Sequence, residues 1–90
     1  MPTIHLLIKG KVQGVFYRAT AKKIADKLTL TGWIKNTKNG DVEITTTGNE
    51  DQINEFITWC KKGPDKAEVE DVIIHDKPET YFTDFKIIRG

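Results

Sequence analysis

Two glycines four positions apart, Gly10 and Gly14, constrain the fold of this chain more than any other feature of its sequence. They lie between an alternating apolar run and a helical pattern that begins at about Arg18, which predicts a loop joining a strand to a helix. Glycine readily adopts positive φ angles, so the N–H groups of such a loop can converge on an anion. The sequence thus allows a backbone anion site where the first helix begins.

The N-terminus of that helix lacks the residues that normally neutralise it. Its first turn, at 18–21, contains no acid, and Tyr17 stands where a Ser, Asp or Asn cap is usual. A helix N-terminus carries unpaired N–H groups and a positive partial charge. A ligand anion bound by these N–H groups and by the Arg18 guanidinium would satisfy both. A glycine-rich turn beside a solvated arginine is the alternative that these residues leave open.

The composition is that of one globular domain, residues 1–90, with almost no net charge. The 14 basic and 13 acidic residues give a net charge of +1, which argues against nucleic acid as a partner because nucleic-acid-binding proteins usually carry a basic excess. The single cysteine, Cys60, falls on the apolar face of a predicted helix, so we expect a buried thiol in a reducing, cytoplasmic setting. No apolar run is long enough to cross a membrane, and the N-terminus lacks the pattern of a signal peptide.

Hydrophobic periodicity predicts two helices and five strands. Helices are expected at about 18–28 and from an N-cap at Asn49, with Gln52 placed to complete a capping box, to a stop at Gly63-Pro64. Strands are expected at 3–10, 31–37, 41–47, 67–75 (with a bulge) and 82–88, and Asn39-Gly40 marks a hairpin between the second and third. This order predicts a ferredoxin-like α+β sandwich, βαββαβ plus a short C-terminal strand, with two helices on one face of a mostly antiparallel sheet.

The motif G-x-V-Q-G-V-x-[FY]-R at residues 10–18, together with Gly32-Trp-Ile-Lys-Asn36, resembles the acylphosphatase family. The resemblance implies a small free-standing hydrolase that cleaves small acyl phosphates to carboxylate and phosphate, with no cofactor and no metal. It places the phosphate-binding arginine of the family on Arg18 and the water-orienting asparagine on Asn36. The phosphate-binding loop corresponds to Gln13, Gly14, Val15, Phe16, Tyr17 and Arg18. The implied partners are a small acyl phosphate and inorganic phosphate, as product and inhibitor, and we expect a monomer.

Three residues depart from the family pattern. Tyr17 replaces the more usual Phe, Lys35 replaces a common Arg or Gln, and Thr29 replaces the Gly of many members. The first two leave the implied chemistry intact. Thr29 raises the question of how the first helix ends, because glycine most readily adopts the left-handed conformation that ends many helices.

The residue types agree with the implied reaction. An acyl phosphate has a good leaving group, so positioning and charge stabilisation can suffice for its hydrolysis. Arg18 would bind two phosphoryl oxygens, the N–H groups of about 15–18 would bind the others, and Asn36 would orient a water. No residue is an obvious general base, and we hypothesise that the substrate itself accepts the proton of the water. His5 and His75 fall on strands that could be neighbours, but two histidines without a carboxylate make a poor metal site.

Two non-catalytic functions compete with this hypothesis. A ferredoxin-like RNA-binding module would stack bases on aromatic residues of its central strands, and residues 4–8 and 42–46 contain no Phe, Tyr or Trp. An anion-binding or regulatory domain would resemble the acylphosphatase-like domain of larger hydrogenase-maturation proteins. The presence of both Arg18 and Asn36 favours the enzyme over such a domain.

Overall fold

A computed structural model of the chain describes residues 1–89, which form one mixed sheet with two helices packed on it. The elements are β1 (Thr3–Lys11), α1 (Tyr17–Lys27), β2 (Thr31–Asn36), β3 (Val42–Thr47), α2 (Glu50–Lys62), β4 (Glu68–Lys77) and β5 (Phe85–Ile87). The strand order is β4-β1-β3-β2-β5; β5 pairs in parallel with β2, and the other neighbouring strands are antiparallel. This arrangement confirms the predicted ferredoxin-like fold.

Alternate residues of the central strands form the middle of the core. Leu6 and Ile8 of β1 and Ile44 of β3 are fully buried, as the period of two along a strand requires. The helices cover this face with most of the apolar stripes read from the sequence: Ala21 and Ala25 of α1, and Ile53, Phe56 and Cys60 of α2. Neither helix within residues 1–89 is long and apolar enough to cross a membrane.

The last strand is shorter than the sequence predicts. The apolar pattern predicts a strand at 82–88, whereas β5 covers only Phe85–Ile87, and β4 extends to Lys77 instead of ending at 75. The chain between them crosses the end of the sheet, where the Thr80 N–H donates to Thr3 Oγ1 at 2.9 Å and the Thr80 carbonyl accepts from Thr47 Oγ1 at 2.7 Å. Because threonine hydroxyls satisfy these backbone groups, this segment needs no partner strand.

The bulge predicted in the fourth strand is confirmed. Lys9 of β1 pairs with Asp71 and the next residue, Gly10, pairs with Val69, so Glu70 is the extra residue of β4. The bulge lies where β1 ends and the glycine loop begins, which locally increases the twist of the strand as it enters that loop.

The two helices begin and end in different ways. Asn49 caps α2 as predicted, with its Oδ1 accepting from the Gln52 N–H at 2.9 Å, but the Gln52 side chain donates to Thr29 Oγ1 and does not complete a capping box. Helix α1 ends with Thr29 at φ 56°, in the left-handed region. Its N–H donates to Asp26 O at 3.1 Å and the Leu30 N–H donates to the Ala25 carbonyl at 2.9 Å, which together form a Schellman motif.

Candidate active site

The N-terminus of α1 is open, as the sequence indicates. The helix begins at Tyr17, one residue earlier than predicted, and Phe16 precedes it in the left-handed conformation with φ 64° and ψ 23°. No side chain caps this end, and its first turn holds no acid. The positive end of the helix dipole therefore faces the glycine loop without compensation.

The backbone N–H groups of this loop are unpaired with other groups of the chain. Within residues 1–89, none of the N–H groups of 14–19 donates a hydrogen bond to another residue, and the first that does is the Thr20 N–H, to the Phe16 carbonyl at 3.1 Å. Successive N–H groups beside a helix N-terminus form a ready site for a phosphate or carboxylate. The loop therefore has the donors that a phosphoryl group requires.

Three of the six predicted phosphate-binding residues direct their side chains away from such a ligand. Gln13 Nε2 donates to the carbonyl oxygens of Thr37 and Asp41, both at 2.8 Å, and so ties the loop to the hairpin between β2 and β3. Val15 and Tyr17 are buried in the core. These three residues offer an anion only their backbone N–H groups.

Arg18 and Asn36 line one cleft, although they are 18 positions apart in the sequence. The cleft has a volume of about 380 Å³ and is lined by Val12, Gly14, Phe16, Tyr17, Arg18, Ala19, Asn36, Ile87 and Arg89. Arg18 forms no ion pair with a side-chain carboxylate of residues 1–89, so its guanidinium is available to a ligand. The arrangement thus brings a cation, unpaired N–H groups and an amide side chain together.

The side-chain oxygen of Asn36 is a buried acceptor without a donor among the described residues. Leaving such a group unpaired costs about 1–3 kcal/mol, and it persists in proteins chiefly where strain, function or a bound water explains it. Asn36 also lines the same cleft as Arg18, so its side-chain amide belongs to the site that an anion bound at Arg18 would occupy.

Arg89 is a residue of the cleft that the sequence reasoning missed. It follows β5, which pairs in parallel with β2, and the Ile88 N–H donates to the Ile34 carbonyl at 2.8 Å. A second opening of about 280 Å³ shares Arg18, Asn36 and Arg89 with the main cleft and adds Lys35 and Ile88. No local pattern in the sequence marks Arg89, because only the pairing of β5 with β2 brings it to the site.

Other residues considered from the sequence lie away from the cleft. His5 and His75 are direct partners across β1 and β4, but the His5 ring bonds Glu43 Oε2 at 2.7 Å, and residues 1–89 contain no group of three or more side chains suited to a metal ion. Trp33 lies outside the core on the opposite face of the sheet, with Lys35 Nζ 5.3 Å from the centre of its ring. Cys60 is fully buried, and that burial raises its pKa to about 12.

Comparisons with known proteins agree with the fold. The family model described as Acylphosphatase matches residues 4–87. An acylphosphatase of Marinobacter nauticus is 46% identical over 83 residues, which are 91% of this chain and 90% of that protein. The crystal structure of acylphosphatase from Bacillus subtilis superposes with a TM-score of 0.95 at 31% identity, covering 99% of this chain and 100% of that one.

A larger protein contains a similar unit. The crystal structure of full-length HypF in the phosphate- and nucleotide-bound form gives a TM-score of 0.87 at 26% identity, and the match covers 98% of this chain but only 12% of HypF. The acylphosphatases of Marinobacter and Bacillus are more similar and match over nearly their whole length. This chain belongs to the acylphosphatase family.

Proposed function

We propose that this protein is an acylphosphatase that hydrolyses the carboxyl–phosphate bond of small acyl phosphates to a carboxylate and inorganic phosphate. The observation that carries the proposal is the shared cleft, in which Arg18 and the unpaired N–H groups of 14–19 lie together with Asn36. The family supplies the reaction, and these residues supply the groups that the reaction needs.

The phosphoryl group binds at the N-terminus of α1. The guanidinium of Arg18 offers parallel N–H donors that match two phosphoryl oxygens, a geometry that lysine cannot reproduce. The loop N–H groups, from Gly14 to Arg18, bind the remaining oxygen and stabilise the charge that spreads over the oxygens in the transition state. Inorganic phosphate should occupy the same position and inhibit the enzyme competitively.

Asn36 holds the attacking water. The water oxygen forms a bond to phosphorus on the side opposite the acyl oxygen, and the bond between phosphorus and that oxygen breaks with its electron pair going to the carboxylate. One proton of the water passes to a phosphoryl oxygen, which yields dihydrogen phosphate. No carboxylate or imidazole of residues 1–89 lines either opening of the cleft, which supports the substrate as the proton acceptor.

The proposal extends to the setting of the enzyme. We infer that the chain acts as a single domain, since both helices and the central strands share one core, and we expect a monomer. A buried, unpaired cysteine thiol suits the reducing cytoplasm. We expect no metal requirement, because Arg18 and the N–H groups supply the positive charge that a metal would bring, and we expect no binding of nucleic acid.

The test is hydrolysis of benzoyl phosphate in the presence of EDTA, repeated with added inorganic phosphate. Arg18→Ala should lower kcat/KM by about 10²–10³-fold or more, the range found for one oxyanion-hole donor, and should weaken inhibition by phosphate. Asn36→Ala should lower kcat to a similar extent while phosphate still inhibits.

Asn54→Ala is the matched control, because Asn54 lies on the exposed face of α2 and outside the cleft. It should retain full activity. Hydrolysis by Asn36→Ala at the parental rate would refute the water-positioning role, and loss of activity on adding EDTA would refute the metal-free mechanism.

A further inference from the structure

Among the described residues, the rim of the main opening of the cleft carries one large apolar side chain that is mostly exposed. Among the lining residues, Gly14, Phe16, Ala19 and Arg89 are exposed, and Phe16 is the aromatic one, with 77% of its surface accessible. Gly14 and Ala19 are small, and Arg89 is the fourth exposed lining residue. Phe16 therefore supplies the aromatic ring on the exposed part of the cleft wall.

The backbone of Phe16 is in a strained conformation. Its backbone has φ 64°, a left-handed conformation that is sparsely populated by residues other than glycine, asparagine and aspartate. Such strained backbone conformations cluster at ligand sites. The ring also leaves most of its apolar surface in water, so neither the backbone nor the side chain of Phe16 is explained by the stability of the fold.

The reaction geometry of the proposed function directs the acyl group towards this rim. Displacement at phosphorus is in line, so the acyl oxygen leaves on the side opposite the water held by Asn36. Asn36 is half-buried, whereas the exposed lining residues are Gly14, Phe16, Ala19 and Arg89. Because the acyl group must extend out of the cleft towards solvent, it passes these exposed residues.

We propose that Phe16 is a specificity-determining residue whose ring packs against the acyl group and favours acyl phosphates with flat, apolar acyl groups such as aryl groups. The inference rests on the proposed function, since it assigns the acyl end of the same site. Contacts between aromatic rings contribute about 0.5–1.5 kcal/mol, which corresponds to roughly a twofold to tenfold preference.

The experiment compares benzoyl phosphate, whose acyl group is a phenyl ring, with acetyl phosphate, whose acyl group carries only a methyl. Phe16→Ala should lower the ratio of kcat/KM for benzoyl phosphate to kcat/KM for acetyl phosphate about fivefold, within the range of a lost aromatic contact. Inhibition by inorganic phosphate should be unchanged, because the phosphoryl contacts are made by backbone N–H groups and Arg18. Phe16→Leu, whose side chain is apolar but not planar, should give a preference for benzoyl phosphate between those of the parent and Phe16→Ala.

Tyr81→Ala is the matched control, since Tyr81 is another aromatic residue, 83% exposed, that lines neither opening of the active-site cleft. It should leave kcat/KM unchanged for both substrates. An equal loss on both substrates, no loss on benzoyl phosphate, or weaker inhibition by phosphate would each overturn the role of Phe16 while leaving the proposed function standing. If the parent protein hydrolyses neither substrate, the proposed function itself fails and this inference fails with it.

Discussion

At the scale of single residues, Tyr17 compensates for a proline. Its hydroxyl donates to the Cys60 carbonyl at 2.7 Å. If α2 continued, that carbonyl would accept from the N–H four residues later, but that residue is Pro64, which has no N–H. Burial raises the pKa of the Tyr17 phenol far above its usual range, so the group remains a donor at any ordinary pH. The departure from the family's more usual phenylalanine thus has a structural reason.

Tyr17→Phe should lower the free energy of unfolding by about 1–3 kcal/mol, because it leaves a buried carbonyl without a donor. Urea denaturation measures the change. Tyr81→Phe provides the control, since the Tyr81 side chain is exposed and should lose its hydroxyl without effect. Equal stability of Tyr17→Phe and the parent would mean that the carbonyl finds another partner.

At the scale of the element, the two ends of α1 differ in whether the chain satisfies their backbone groups. Its N-terminus is left open to the cleft, and its C-terminus is closed by a Schellman motif that places a β-branched residue, Thr29, in the left-handed conformation. The Thr29 hydroxyl donates to the Leu28 carbonyl and accepts from the Gln52 side chain, but both contacts are exposed. Exposed hydrogen bonds add little to stability. The strained backbone conformation of Thr29, in contrast, destabilises the folded state and has no counterpart in the unfolded chain.

Thr29→Gly should therefore stabilise the protein, by about 1 kcal/mol, because glycine adopts this conformation without strain. Thr29→Ala is the comparison, since it removes the same two hydrogen bonds and keeps a Cβ. The midpoint of urea unfolding should rise for the glycine variant only. A fall in both midpoints would show that the threonine hydroxyl, and not the backbone conformation, determines how well this helix end is held.

At its bulge, the backbone of β4 lies close to Gly10 of β1. A Cβ on Gly10, at φ +128°, would overlap the Glu68 carbonyl and the Glu70 nitrogen, both of which are backbone atoms held in the sheet. Gly14, at φ +73°, has open space where its Cβ would be. The first glycine is thus required by a close approach between strands, and the second only by its backbone angle.

Gly10→Ala should cost clearly more stability than Gly14→Ala. We expect about 1 kcal/mol for Gly14→Ala, the strain of a left-handed alanine, and a loss at or above 3 kcal/mol for Gly10→Ala, where a strand must also move. Thermal or urea unfolding of the two variants measures the difference. Similar losses would indicate that β4 can shift away from β1 without breaking the sheet.

At the scale of the whole molecule, stability at alkaline pH depends in part on the Cys60 thiol, which is buried in the core. The folded protein holds the Cys60 proton up to about pH 12, because burial disfavours the thiolate. In the unfolded chain the thiol ionises at about pH 8.5. The raised pKa therefore contributes stability below that pH, and the contribution is lost as the pH rises towards 12, by about 1.4 kcal/mol for each pH unit.

Cys60→Ala should remove this part of the pH dependence. At pH 8 the variant will be less stable than the parent because it leaves a cavity. Above pH 9 the difference in the free energy of unfolding between the two proteins should narrow by about 1.4 kcal/mol per pH unit. Ile53→Val truncates the same core without a titrating group, so its deficit should stay constant with pH. If the free energies of unfolding of the parent and Cys60→Ala changed in parallel with pH, the pKa of the thiol would be the same in the folded and unfolded states.

Much of the fold could be predicted from the sequence, because its signals are local. The stripe of α2, its Asn49 cap and the Asn39-Gly40 hairpin each depend on neighbours within a few residues, and all three are confirmed. The open N-terminus of α1 was predictable for the same reason. The family resemblance, which covers nearly the whole chain, is confirmed by the family model.

The sequence by itself determined which elements form, in what order, and that a loop of free N–H groups would precede α1. Only the tertiary structure decided that Gln13 turns its amide away from the loop, to carbonyls 24 and 28 positions later. It also decided that Arg89 joins Arg18 and Asn36 in one cleft. The physical reason is that a side chain's surroundings depend on which strands pair, and the pairing of β2 with β5 joins segments about 50 residues apart that no local pattern connects.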